Sequence, residues 1–156
     1  MTGKRRSAAR RDVPAWTLNG SANIPVQTDG QPCATLLEAA SQNGYKTGLV
    51  ATSRITHATP GSFSAHALDR DLEAAIAVQQ TGQYALGVNV DLMFGGGRCY
   101  FEPNSTASSC RQDRVDLLKY VRSKDWDVRL DAPSFRELTA NDADRVNLGL
   151  FAQGVS

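Results

Sequence analysis

The stretch "KTGLVATSRITHATPGSFSAHALDRD", residues 46–71, contains the pattern that decides the fold. Its first part, 46–54, is a continuous apolar and β-branched run, which is typical of a strand buried on both faces. Its second part is polar and holds both histidines of the chain, a proline and Arg70. Polar side chains that follow the carboxyl end of a strand often form a binding site. We therefore predict a buried strand followed by a candidate ligand site within residues 52–71.

The segments on both sides of this stretch alternate between helical and strand patterns. Asp69 is a candidate N-cap for the helix after it, and Val115, Leu118 and Val121 recur at a helical spacing of three. An alternating order of helices and strands is typical of an α/β protein with a parallel sheet. The patterns predict helices within 34–44, 69–82 and 111–126, and further strands within 84–98, 127–130 and 146–152.

Length and composition fit a single globular domain. The chain has 156 residues, of which 41% are apolar and 21% charged, as in ordinary globular proteins. No apolar run approaches the roughly 18 residues needed to span a bilayer. No apolar segment follows the N-terminal charges, so the sequence predicts neither a signal peptide nor a transmembrane helix in this chain.

The charge is concentrated at the N-terminus. Five basic residues precede the first acidic residue, Asp12, although the whole chain carries a net charge of only +1. We interpret residues 1–28 as a basic leader that is disordered or unrelated to the rest, and 29–156 as part of an α/β domain. The sequence shows no zinc-finger spacing and no recognition-helix pattern, so we predict no nucleic-acid partner.

The cysteines and two glycosylation patterns bear on the cellular compartment. Cys33, Cys99 and Cys110 form no C-x-x-C pair, which disfavours zinc-ribbon and thioredoxin-like sites. Cys99 and Cys110 flank a turn-rich loop, and a bond between them would stabilise the fold by about 3 kcal/mol. Asn104 lies within this loop in an N-glycosylation pattern, and Asn19 begins another. Together these features favour an oxidising, secretory compartment, with reduced cytosolic thiols as the alternative.

Two further motifs have simpler interpretations. "FGGGR", residues 94–98, lacks the Lys-Ser/Thr of a P-loop and the spacing of a dinucleotide fingerprint, so it predicts a tight turn. His57 and His66 are nine residues apart, and no nearby residues complete a local metal site. Isolated histidines of this kind are usually hydrogen-bonded polar residues. No serine lies in a G-x-S-x-G motif, which disfavours a hydrolase triad.

Three stretches, in the same order, resemble the alkaline phosphatase family and in particular its fungal members. They are "CATLLEAASQNGYKTGLVATSRITHATPGSFSAHALDRD" (33–71), "DLMFGGGRCYFEP" (91–103) and "NLGLFA" (147–152), and the similarity covers about residues 29–152. The resemblance implies a large three-layer α/β domain with a central, mostly parallel sheet. It also implies a homodimer of the secretory pathway, vacuolar or extracellular. The implied reaction is hydrolysis of phosphate monoesters through a phosphoserine intermediate at a centre of Zn²⁺ and Mg²⁺.

The resemblance also implies roles for three residues of the polar segment. Arg70 matches the family arginine that binds the substrate phosphate, for which a planar guanidinium with paired donors is suited. Thr59 matches a hydroxyl ligand of the magnesium ion, a cation that prefers oxygen ligands. His57 matches a position beside that ion, where the residue acts through water.

Other parts of the family's site have no counterpart here. The family nucleophile is a serine in an Asp-Ser-Ala motif, which residues 9–27 lack, and no histidine follows His66 to bind zinc. We therefore expect an internal fragment or a truncated product of a phosphatase gene, inactive by itself and with at most a partial magnesium site. The alternatives are a non-catalytic remnant or interaction module of the same ancestry, and an unrelated phosphate-binding α/β protein.

Overall fold

The computed structural model of the chain describes residues 34–83, 90–139, 142 and 144–154. Within them, parallel strands form one sheet in the order β1-β2-β4-β3, which confirms the predicted α/β class. The strands are β1 (Gly48–Arg54), β2 (Leu92–Gly96), β3 (Asp127–Arg129) and β4 (Asn147–Leu150). The helices are α1 (Leu36–Gln42), α2 (Ala58–Ser64), α3 (Glu73–Gln80), α4 (Leu117–Ser123) and α5 (Ala132–Arg136). None of these helices is long and apolar enough to cross a membrane.

The hydrophobic core lies between the sheet and helices α3 and α4. Burial of each large apolar side chain there stabilises the fold by about 1.5–3 kcal/mol. Because β2 and β4 are the inner strands, their inward residues are fully buried and pack against both helices. The core includes Ile55, Ala77, Met93, Phe101, Leu117, Val121, Leu148 and Leu150.

The prediction that the first strand is buried on both faces was wrong for the described residues. Exposure alternates along β1, and Val50 is 76% exposed. The sequence run is apolar on both faces, but only one face of β1 is covered by the described helices. On the other face, Val50, Phe94, Phe135 and Phe151 line an open cavity of about 850 Å³.

The first predicted helix is confirmed, and its ends follow standard capping chemistry. The hydroxyl of Thr35 accepts a hydrogen bond from the backbone of Glu38 (3.0 Å), and the Glu38 carboxylate accepts one from the backbone of Thr35 (2.7 Å). This reciprocal capping box satisfies two backbone donors that a helix start would otherwise leave unpaired. Gly44 follows the helix with φ of +79°, as expected of a glycine at a helix end.

Asp69 is not the N-cap of α3, contrary to prediction. The N-cap is Leu72, and the Asp69 side chain instead accepts a hydrogen bond from the backbone of Asp71 at 2.9 Å. The backbone of Leu72 donates to the Asp69 carbonyl at 3.3 Å, which closes a turn. An aspartate can close such a turn as readily as it caps a helix, so the sequence does not separate the two outcomes.

Two other helices differ from the sequence pattern. Helix α4 begins only at Leu117, because the side chain of Asp116 accepts from the backbone of Lys119 at 2.8 Å and caps it there. Val115 therefore lies outside the helix and is 40% exposed. Helix α2, with sequence ATPGSFS, was not predicted because threonine, proline, glycine and serine are weak helix formers. The short strands β3 and β4 confirm their predictions.

The glycine-rich segment forms the predicted tight turn after β2. Gly97 has φ of +86°, and a Cβ atom there would lie only 2.9 Å from the Cβ of Arg54. The backbone N–H groups of Gly97 and Arg98 both donate to the carbonyl of Ala152 at 3.0 Å. The turn thus joins the carboxyl ends of β1, β2 and β4.

Candidate functional site

The candidate site lies beyond the carboxyl end of β1. The backbone of Ile55 donates to Gly96 of the neighbouring strand, and the backbone of His57 donates to Arg54, each at 3.0 Å. These bonds fix the turn of residues 54–57, which presents the His57 side chain. The Nη2 atom of Arg70 lies 3.0 Å from the Nε2 atom of His57. The structure thus brings together two of the three residues predicted for the site.

The contact between these two side chains indicates which ring nitrogen of His57 accepts a hydrogen bond. A guanidinium has only donors, so the Nε2 atom of His57 must accept the hydrogen bond from Arg70. The Nδ1 atom is therefore the ring nitrogen that can act as a donor. Arg70 is half-buried, and the contact with His57 uses only one of its five N–H donors.

Thr59 is the third predicted residue, and it lies in the first turn of α2. Its side chain is exposed, and its hydroxyl makes no hydrogen bond to any residue that the structure describes. Its backbone carbonyl accepts from the hydroxyl of Ser62 at 2.8 Å, which keeps the turn in place. The hydroxyl oxygen of Thr59 is therefore available to a ligand.

A buried ion pair next to the site was not found by sequence reasoning. The Nε atom of Arg54 lies 3.0 and 2.8 Å from the two carboxylate oxygens of Glu73, and its Nη2 atom lies 2.6 Å from one of them. The hydroxyl of Thr56 donates to the same carboxylate at 2.6 Å. The hydrogen bonds to Glu73 raise the pKa of Arg54, and burial only partly opposes them.

His66 has a structural role, in agreement with the interpretation of isolated histidines. Its Nε2 atom lies 2.5 Å from a carboxylate oxygen of Glu38, and both side chains are buried. The side-chain amide of Gln79 accepts from the backbone nitrogen of His66 at 2.6 Å and donates to its carbonyl at 2.7 Å. These contacts hold the segment between α2 and α3 against α1 and α3.

The loop from Cys99 to Cys110 contains three of the other predicted positions, namely these two cysteines and Asn104. Cys99 and Cys110 are joined in the structure, with their Cα atoms 4.9 Å apart. Asn104 is exposed within the loop, and its side-chain nitrogen donates to the carbonyl of Gln112 at 3.0 Å. The buried Arg111 donates to the carbonyls of Ala74 and Tyr100, each at 3.0 Å, and thereby ties the loop to α3. Cys33 and Asn19 lie outside the described residues.

The family model for alkaline phosphatase matches residues 17–155. The chain belongs to the alkaline phosphatase family. Among its relatives, the alkaline phosphatase of Schizosaccharomyces pombe is 50% identical over 137 residues, which are 87% of this chain and 25% of that protein. The repressible alkaline phosphatase of Saccharomyces cerevisiae is 44% identical over 145 residues, with the same shares covered. The chain thus spans about a quarter of the length of its fungal alkaline phosphatase relatives.

Solved alkaline phosphatases share the fold. The enzyme from Thermus thermophilus superposes with a TM-score of 0.71 at 31% identity over 89% of this chain and 26% of its own. The alkaline phosphatase of the Antarctic bacterium TAB5 gives 0.66 at 32% identity over 86% of this chain and 38% of its own. A histidine-to-glutamate variant of the TAB5 enzyme, with Mg bound in the M3 site, gives 0.67.

The residues of this alkaline phosphatase chain that sequence reasoning missed are buried partners rather than ligand-binding groups. Arg54 ends an apolar strand and Glu73 begins a helix, and each position alone is ordinary. A charged residue at the end of an apolar run was the available signal for Arg54, since an arginine that is partly buried there needs a partner. Its partner is 19 residues away, and no local spacing identifies it.

Proposed function

We propose that the protein hydrolyses phosphate monoesters and that this chain supplies the phosphate-binding arginine, Arg70. The observation that carries the proposal is the contact of Arg70 with His57, close in sequence to the exposed hydroxyl of Thr59. Membership of the alkaline phosphatase family supports the reaction. Substrate monoester and product phosphate would bind the same guanidinium.

The chemistry of Arg70 suits this role. A guanidinium carries five N–H donors, and a bidentate contact with phosphate uses two of them. Its contact with His57 uses one donor and orients the group. Arginine keeps its charge at alkaline pH, so the contact with a dianionic phosphate persists where lysine would begin to deprotonate.

The side chains present would also suit a magnesium ion whose remaining ligands come from other parts of the protein. Magnesium takes six oxygen ligands, and Thr59 supplies one free hydroxyl. The Nε2 atom of His57 contacts Arg70, so Nδ1 would be the ring atom left to interact with a water on such an ion. A bound magnesium ion would add positive charge beside the phosphate. Among the described residues no group of three or more His, Cys, Asp or Glu could hold a metal, so the proposal assigns no zinc ligand to them.

The proposal includes a setting in the secretory pathway, vacuolar or extracellular. Oxidation of the Cys99–Cys110 pair and a glycan on the exposed Asn104 would both require that compartment. The structure supports this pairing, because the Cα atoms of Cys99 and Cys110 lie 4.9 Å apart. A homodimer of the whole protein, as the family resemblance implies, is part of the same proposal.

A hybrid enzyme tests the proposal. In it, residues 17–155 replace the aligned segment of the Schizosaccharomyces pombe alkaline phosphatase, and hydrolysis of p-nitrophenyl phosphate is measured against magnesium concentration. We expect an active hybrid in which Thr59→Val weakens magnesium activation by about tenfold or more, whereas Thr59→Ser, which keeps the hydroxyl, does not. A hybrid that folds but is inactive would contradict the assignment of these residues to the site.

A further inference from the structure

Arg70 lies on the segment of residues 65–72, which is held to the rest of the fold at both ends. At the amino end, the Gln79 amide binds the backbone of His66, and the His66 ring binds Glu38. At the carboxyl end, the segment leads into Glu73, the first residue of α3. The placement of Arg70 therefore depends on these two attachments.

Several short hydrogen bonds hold the side chain of Glu73. Glu73 is only 5% exposed, and its carboxylate accepts hydrogen bonds from both Arg54 and Thr56, all between 2.6 and 3.0 Å. A buried carboxylate is costly unless it is paired and hydrogen-bonded, so these partners hold it in one position. A bidentate arginine also fixes the orientation of the carboxylate plane.

The same short turn that binds Glu73 also carries the partner of Arg70. Within residues 54–57, Arg54 and Thr56 contact Glu73, and His57 contacts Arg70. Glu73 and Arg70 are only three residues apart, and the turn at Asp69 limits the freedom of the chain between them. Both sets of contacts therefore join residues 54–57 to residues 70–73.

We propose that Glu73, held by Arg54 and Thr56, is a positioning residue that sets the guanidinium of Arg70 against His57 for phosphate binding. The inference rests on the proposed phosphate-binding role of Arg70. Loss of the Glu73 charge would release the first turn of α3 from residues 54–57, and Arg70 would move with it. Displacement of a ligand-binding group by about 1 Å is enough to weaken its action by up to a hundredfold.

The experiment measures inhibition by inorganic phosphate, KM and kcat in the hybrid enzyme. Glu73→Gln keeps the shape of the side chain but removes its charge. It also replaces one acceptor oxygen by an amide N–H₂ group, which faces the donors of Arg54 and Thr56. We expect the inhibition constant for phosphate and KM to rise together by about tenfold, with a smaller fall in kcat. Added to Arg70→Ala, Glu73→Gln should have no further effect on phosphate inhibition, because it acts through Arg70.

Asp127→Asn is the matched control. It removes the carboxylate that binds the buried Arg129 at 2.5 Å, in β3 at the opposite edge of the sheet from β1. It should lower the melting temperature and leave phosphate inhibition unchanged. Arg54→Lys is a milder variant in case Glu73→Gln does not fold, since it keeps the charge, loses the bidentate geometry and should shift phosphate inhibition in the same direction.

The outcomes separate the two proposals. If Arg70→Ala raises the inhibition constant but Glu73→Gln and Arg54→Lys lower only the melting temperature, as the control does, the positioning role is wrong and the role of Arg70 stands. If the effects of Glu73→Gln and Arg70→Ala add, Glu73 does not act through Arg70. If Arg70→Ala itself leaves phosphate inhibition unchanged, both proposals fail.

Discussion

The fold opposes the ionisation of Tyr100. Burial raises the pKa of its phenol, and the negative charge of Glu73 raises it further, against a smaller lowering by Arg54. The neutral form is favoured in the folded state. The tyrosine lies next to the glycine turn and so shares its surroundings with the Arg54–Glu73 pair.

This pKa shift predicts how stability depends on alkaline pH. Below about pH 10 the phenol is neutral in both the folded and unfolded states. As pH rises further, the unfolded state ionises first, so the stabilising contribution is lost as pH passes through the raised pKa of the folded state. Urea unfolding of the hybrid enzyme should therefore show a steeper alkaline loss of stability than the same unfolding of Tyr100→Phe. Equal slopes for the two proteins would contradict the shift, and Tyr45→Phe, at an exposed tyrosine, controls for removal of a hydroxyl.

Sequence reasoning at this scale predicted three residues of a ligand site and missed the ion pair next to them. Arg70, Thr59 and His57 were assigned because a family resemblance carries residue identities at fixed positions, and their roles stay predictions. The partnership of Arg54 with Glu73 depends on how a strand end packs against a helix start. That packing is a tertiary property, so the sequence around either residue does not reveal the contact.

The glycine turn after β2 joins three strands at the edge of the sheet where the candidate site lies. Gly97 and Gly44 both have positive φ, but their surroundings differ. A Cβ atom at Gly97 would meet Arg54 at 2.9 Å, whereas nothing lies within 4 Å of one at Gly44. Substitutions at Gly44 and Gly97 therefore distinguish the cost of backbone strain from the cost of a steric clash.

We expect Gly44→Ala to lower the free energy of unfolding by about 1–2 kcal/mol, the cost of left-handed backbone for a residue with a Cβ. Gly97→Ala should add about 1–3 kcal/mol for the contact with Arg54. It should also weaken phosphate inhibition of the hybrid enzyme, since Arg54 holds Glu73. Chemical denaturation and phosphate inhibition measure the two effects, and equal losses of stability for both variants would argue against the close contact.

Elements were predictable where the chain pattern and the final packing agree. The alternation of helices and strands gave the parallel sheet, and the short strands β3 and β4 appeared in the predicted places. Helix α2 was missed because its composition is poor for a helix. It packs against α1, α3 and β1, and most of its residues, such as Pro60 and Gly61, are buried. Tertiary contacts outweigh weak propensity there.

At the scale of the whole molecule, the uncovered face of the sheet is the main exposed apolar surface among the described residues. Phe94, Phe135 and Phe151 form a cluster of edge-to-face rings with centroids 5.4–5.9 Å apart. Val50 lies on the same face and is 76% exposed. Apolar surface of this kind promotes association.

We expect the 156-residue chain, expressed alone, to self-associate through this face. Val50→Lys should increase the monomer fraction, because a charge on the face opposes burial. Leu36→Lys is the matched control, since Leu36 is also 76% exposed but lies on α1, away from the cavity. Size-exclusion chromatography with light scattering measures both, and a monomeric unmodified chain would contradict the prediction.

The most direct test of the account is phosphate inhibition of the hybrid enzyme with and without the guanidinium of Arg70. Loss of one charge-assisted bidentate contact is worth about 1.5–3 kcal/mol, so Arg70→Ala should raise the inhibition constant by about ten- to a hundredfold. Arg70→Lys should recover only part of this loss, because it restores the charge without the paired donors. Arg122→Ala, which removes an exposed arginine of α4, should have no effect. An inhibition constant unchanged in Arg70→Ala would remove Arg70 from the phosphate site and contradict the account.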